Sequence, residues 1–259
     1  MKTAPVLLHI PHASDKIPFK DGYVVNNATL EAEILKLTDW KTYPLFGHYD
    51  NSLTMICPFN RVFCDVERFE YDEDEVMAPY GMGAVYEKLD NGAPLRELTP
   101  ELKEKIMIEY YWSHHYNNVN KRVKKSLDEF GVANILDCHS FSDKPFQRDL
   151  DQNSFRPDIC IGTDKFHTPS RWITYAFKLF TSNGFSVKID NPYEGTFVPS
   201  HHLHQTKEVR SMMIEVNRKL YLKEESSEFL DKIDRNLGGV IAELVRGISF
   251  LGSSGKYLD

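Results

Sequence analysis

The sequence predicts an α/β protein, with a mostly parallel or mixed sheet held between helical layers. Three observations point there. Short apolar runs alternate with longer segments of helical period, most plainly in the second half. The runs at 6–10 and 159–161 are apolar enough for internal strands. No composition shift, internal repeat or low-complexity linker divides the chain, so its 259 residues read as one domain, 1–259.

The elements follow in order. Val6-Leu-Leu-His-Ile10 is a strand stopped by Pro11, and 12–27 is a loop carrying Pro18 and Gly22. Leu30, Ile34 and Leu37 recur at helical spacing. Thr38-Asp39 breaks that helix, and Asp39 is placed to cap the next one, with Trp40, Tyr43 and Phe46 on its apolar face. Residues 53–57 form a strand, and 61–65 alternate weakly, as a further strand would. The acidic, aromatic stretch 67–91 has no period and reads as a long irregular excursion. Pro100 opens a long helix that runs to Gly131. Residues 132–136 are a buried strand ending in Asp137-Cys-His-Ser140. After a polar loop come a strand at 158–162, a helix at 169–182, a strand at 185–189 and a His-rich loop. A last strand at 211–216 and a helix at 227–245, interrupted by Gly238-Gly239, close the chain.

Composition narrows the function. Hydrophobic residues make up 41% and charged residues 27%, an ordinary globular mixture. A net charge of -7 argues against a nucleic-acid partner, because polyanions reward clustered Lys and Arg. Cys57, Cys64, Cys138 and Cys160 include no CxxC pair, which suits a reduced, cytoplasmic protein. The N-terminal apolar run is too short for a signal peptide, and no run approaches a membrane span.

The chemistry-bearing residues fall at strand ends, where ligands collect in α/β proteins. His12 follows the first strand and His139 the central one. Taken alone, each reads as a satisfied core histidine. Glu215, in Met-Met-Ile-Glu-Val, is a carboxylate in an apolar strand and must be paired, protonated or functional. Two imidazoles and a carboxylate meeting at one sheet edge suit a zinc ion. His9 reads as packed within the sheet. Arg61 and Arg68 flank Asp65, as forks for substrate carboxylates or as structural partners of that acid. His114 and His115 are neighbours on a helix, so at most one would look into a site. Cys138 and His139 are neighbours on a strand and cannot form a catalytic pair.

Five motifs in order then carry a resemblance. They are Ile10-Pro-His-Ala-Ser14 with Ile17-Pro18, Thr38-Asp39-Trp40, Arg61-Val-Phe-Cys-Asp65 with Arg68, Asp137-Cys-His-Ser140, and Ile214-Glu-Val-Asn-Arg218 with Leu220-Tyr221. Together they resemble the N-formylglutamate amidohydrolase family, over residues 5 to about 245. The resemblance implies a three-layer α/β/α sandwich like that of the zinc carboxypeptidases and aspartoacylase. It also implies hydrolysis of the N-acyl amide of an acidic amino acid, a small-molecule substrate. His12 and His139 match two zinc-ligand positions, with Asp39 taken as the third and Asp15 as its rival. Glu215 matches the catalytic glutamate, which takes a proton from water and passes it to the leaving amine. Arg61 is then expected to hold the oxyanion, and Arg68, Asn217, Arg218 and His202 to contact substrate.

Two departures bear on specificity. Many members read Asp-x-Asn-Arg where this chain has Asp65-Val-Glu-Arg68, so Glu67 would repel a second substrate carboxylate if it faced the site. The stretch 201–208 lacks the Gly-rich form of the family. A zinc carboxypeptidase-like peptidase and a non-catalytic binder of acidic ligands are the competing readings. Three ligands around one point and a closed pocket would favour the small-substrate enzyme.

Overall fold

The computed structural model describes residues 3–253 apart from 48, 50, 51, 224, 225, 232, 234 and 235. Among these residues the strands are β1 (Val6–Ile10), β2 (Ser52–Ile56), β3 (Ala133–Phe141), β4 (Ile159–Gly162), β5 (Val187–Ile189) and β6 (Val209–Asn217). The α-helices are α1 (Asn27–Leu37), α2 (Thr42–Phe46), α3 (Pro100–Ile106), α4 (Lys121–Phe130), α5 (Ser170–Ser182) and α6 (Leu237–Ser253). The sheet order is β2-β1-β3-β6-β4-β5. Neighbours pair in parallel except β4 with β6, which is antiparallel. The mostly parallel mixed sheet expected from the sequence is therefore present.

Alternation along the strands sorts the core into two faces. Val6, Leu8, Ile10, Leu136 and Cys138 pack with residues of α2, α5 and α6, including the buried Trp172 and Phe180. Leu7, Ala133 and Ile135 pack on the other face with Val119 and Val123. Helices thus cover both faces, and an α/β sandwich results. His9 shares a face with Leu7, and Asp137 and His139 share one with Ile135. All three sit on the face that α4 covers, at the carboxyl ends of their strands.

Local chemistry sets the boundaries. Asn26 caps α1 by accepting from the Thr29 N–H at 2.9 Å. Thr99 caps α3 by accepting from Leu102 N–H, with Pro100 in the first turn. Gly131 ends α4 in the left-handed region at φ 73°. Between α3 and α4 the helix widens into two π-helical stretches, Met107–Trp112 and His115–Asn120. Such widening often marks functional surface.

Some sequence expectations are corrected. Residues 61–65 are turns, not a strand. Asn60 accepts from Val62 N–H through its side chain and from Phe63 and Cys64 N–H through its carbonyl. These local bonds compete with a sheet ladder. β3 does not stop at Leu136 but continues to Phe141, because its backbone stays in register with β6 as far as the Phe141–Asn217 pair. Asp39 is not a helix cap, since Lys41 occupies that position before α2. The closing helix is displaced: α6 carries Gly238-Gly239 in its first turn and runs on to Ser253. Within the expected 227–236 portion, residues 232, 234 and 235 lie outside the described residues, and the others form no α-helix.

Candidate active site

In this topology β1 sends the chain to β2 on one side, while β3 lies on its other side. The carboxyl ends of β1 and β3 therefore flank a switch point, the crevice where α/β proteins bind ligands. His12 follows β1 there and His139 lies near the end of β3. In the sheet register His9 lies beside Asp137, and His139 beside Glu215. Asp39 arrives from the α1–α2 connection, which is pinned by its N–H donating to the His12 carbonyl at 2.9 Å.

The two imidazoles are held from behind. His12 Nε2 lies 2.8 Å from Asp65 Oδ1, and His139 Nε2 lies 3.1 Å from Asp137 Oδ1. Each acceptor draws the ring proton to Nε2, leaving Nδ1 as a lone pair. His139 Nδ1 stands 3.2 Å from Asp39 Oδ2, and His12 Nδ1 stands 3.8 Å from the same oxygen. His12 Nδ1 is buried and has no hydrogen-bond partner. His12, Asp39 and His139 thus offer three donor atoms within 4.8 Å of one another. Asp15 is exposed and stands outside this group.

Arginines organise the acids. Asp65 accepts from Arg61 at 2.9 Å and from the Tyr86 hydroxyl at 2.8 Å, and lies 3.5 Å from Arg68 Nε. Arg218 donates to Asp39 Oδ1 at 2.9 Å, and also to Ser140 and the Lys36 carbonyl. Burial alone would raise the pKa of Asp39, but the adjacent His12 and His139 rings and the Arg218 charge hold it below the usual carboxylate range. Burial likewise opposes ionisation of Asp65, and the Arg61 charge and His12 override it. His139 would be lowered by burial, yet Glu67 and Asp137 lift it well above an ordinary imidazole. Among the described residues, arginine ion pairs reach Asp39, Asp65 and Glu75, whereas Glu67 and Asp137 meet imidazoles. The cluster thus needs further positive charge, from protonated imidazoles or from a bound cation.

Glu215 is of a different kind. Its Oε2 is buried without a hydrogen-bond partner. Burial pushes its pKa up to about 8, with His139 opposing and Asp39 adding repulsion. A carboxyl poised near neutrality beside a donor-lined centre has the properties of a general base.

Other predicted residues are placed less centrally. Both Asn217 N–H groups are spent on Asp143 and the Pro157 carbonyl, and its oxygen accepts from Lys219 N–H. This amide holds the chain after β6. His202 bonds Thr206 within its own loop. Its neighbour His201, with Glu67, Arg68, His115 and Phe197, lines a cavity of about 810 Å³. Arg218 borders a second cavity of about 710 Å³. Of the two neighbouring helix histidines, His115 lines that first cavity and its Nε2–H donates to the Val66 carbonyl, while His114 lies 6.2 Å from the His9 ring. Sequence reasoning set His9 aside as packing. It is fully buried, but it hydrogen-bonds Asp137 at 2.9 Å and so belongs to the cluster. Asp65 was visible in sequence only as a partner for arginines.

Fold and site together define an α/β-sandwich protein with a buried histidine–carboxylate centre at the sheet's switch point. The family model described as N-formylglutamate amidohydrolase matches residues 4–222, and the chain belongs to that family. Its chemistry is accordingly hydrolysis of an amide. The chain is 25% identical over 232 residues to an N-formylglutamate deformylase of Pseudomonas putida, covering 85% of this chain and 82% of the relative. Among solved structures it resembles an N-formylglutamate amidohydrolase from Ralstonia eutropha JMP134. The TM-score is 0.83 at 18% identity, over 97% of this chain and 95% of that one. A gene product of Agrobacterium tumefaciens superposes with a TM-score of 0.62 at 19% identity, over 97% and 89% of the two chains. These two likenesses concern the fold.

Proposed function

We propose that this protein is a zinc-dependent deformylase of N-formylglutamate or a close N-acyl acidic amino acid. The observation that carries the metal reading is the orphaned Nδ1 of His12. It faces Asp39 and the Nδ1 of His139, while both Nε2 atoms are committed to carboxylates. Three lone-pair donors turned toward one another in a buried site call for a cation, and two imidazoles with one carboxylate suit zinc. His12, Asp39 and His139 would hold the ion, which when bound supplies the Lewis acidity that acidifies water and polarises an acyl carbonyl.

The chain's own residues do the rest. Glu215, beside His139 in the register, accepts a proton from the attacking water and delivers it to the leaving amine nitrogen. Arg61 has a partly exposed side chain, and it offers positive charge to the carbonyl oxygen as that oxygen becomes anionic. Arg68 is the guanidinium best placed for a substrate carboxylate. It borders the larger cavity, with its Nε held 3.5 Å from Asp65 and its Nη1 donating to Glu75. Asp65 and Asp137 keep the two imidazoles in the Nε2–H tautomer. Arg218 fixes Asp39.

The reading is tested by metal analysis together with N-formylglutamate hydrolysis for wild type and Glu215→Gln. Wild type should carry one zinc and release formate. The variant should keep its zinc while losing turnover by roughly 10²–10⁴-fold. A wild type that binds no metal and releases no formate would end the proposal.

A further inference from the structure

We infer that Glu67 is a positioning residue that ties the two candidate zinc-binding imidazoles to each other, an inference that rests on the zinc reading above. Its two carboxylate oxygens reach different rings. Oε1 lies 3.2 Å from His139 Nε2 and 3.4 Å from His9 Nδ1. Oε2 lies 3.4 Å from His12 Nε2. One carboxylate thus spans both rings on the side opposite Asp39, where the ring centroids stand 5.1 Å apart.

Asp65 orients the His12 ring, and Asp137 meets the His139 and His9 rings but not His12. Neither controls the distance between the rings, which come from separate strand ends. A bridging carboxylate does control it, and a metal site depends on the separation of its donor atoms as much as on their identity. The turn that carries Glu67 is itself held. Glu67 N–H donates to Asp65 Oδ1 at 3.2 Å, and the Val66 carbonyl accepts from His115 at 2.8 Å. The side chain is 18% exposed and borders the larger cavity only with what the imidazoles leave uncovered. The acid that the sequence offered as a repeller of substrate therefore turns inward, toward the rings.

Glu67→Gln breaks the bridge, because an amide has one acceptor oxygen and sets an N–H against the other ring. Glu67→Asp keeps the charge but shortens the arm. Zinc affinity, read by competition with a chromogenic chelator, should fall by about 10–100-fold in Glu67→Gln and measurably in Glu67→Asp. Activity of both variants should keep rising with added zinc at concentrations that already saturate wild type, so that the loss lies in metal affinity. Glu70→Gln, on the same cavity wall, should leave zinc affinity unchanged. If wild type binds zinc and both Glu67 variants match it within twofold, the positioning role is wrong. If wild type binds no zinc, the zinc reading fails and this role falls with it.

Discussion

His12 and His139 present the same nitrogen to the same point, although their positions are 127 residues apart (139 − 12). The carboxylates behind them decide this, since an acceptor at Nε2 leaves Nδ1 for a ligand. The sequence could show that Asp137 and His139 share one strand face, being two residues apart. It could not place Asp65 or Glu67, whose side chains are aimed by a turn with no periodicity. Another buried imidazole supplies a separate prediction. Burial, with the neighbouring His9 and His115, pushes the His114 pKa down to about 2. The unfolded chain gains a proton as pH falls through 6.5, whereas the folded one does not until about 2. His114 thus supports stability fully above pH 6.5 and loses that support as pH falls, at up to about 1.4 kcal/mol per pH unit. Replacing His114 with Phe also removes a buried Nε2 that has no partner. Urea unfolding of His114→Phe between pH 6.5 and 4.5 should show a shallower decline than wild type, by roughly 1 kcal/mol per pH unit. Parallel declines would contradict the neutral, buried state of this ring.

At the scale of elements, apolar periodicity and end signals located most strands and helices. The cap at Thr99, the stop at Gly131 and the strands around residues 6–10 and 159–162 follow from side-chain chemistry within a few residues. The failures share a cause. β3 runs through Asp137 and His139 because β6 offers its backbone a ladder partner at each of them, and that strand is remote in sequence. The 61–65 segment became turns because Asn60 offers closer hydrogen bonds than any strand. The helical layer of α5 and α6 is held by apolar burial and lies on the sheet face away from His139. Phe180→Ala in α5 should therefore cost about 3–5 kcal/mol, read as a lower urea midpoint. The folded fraction should hydrolyse N-formylglutamate at the wild-type rate. A selective loss of turnover without a loss of stability would show that this layer shapes the site directly.

For the whole molecule, the candidate zinc ligands come from the end of β1, the α1–α2 connection and the end of β3. An ion held by all three binds the folded chain and not the unfolded one, so it stabilises the fold by mass action. Removing zinc with a chelator should lower the melting temperature. Free zinc at about 100 times its dissociation constant contributes about 2.7 kcal/mol, or roughly 5–10 °C for a chain of this size. Identical melts with and without chelator would speak against a zinc shared by these segments. Among the described residues no helix is long and apolar enough to cross a membrane. The sequence by itself determined the alternation of strands and helices, the strand ends that carry His12 and His139, and five ordered motifs that belong to the family, because each is written in residues close together in the chain. Only the tertiary structure decided which acids stand behind those imidazoles, that His9 joins them, and that Glu67 turns inward to bridge the rings. Those outcomes depend on which strands become neighbours and on the balance of buried charge, and neither is a property of any local stretch.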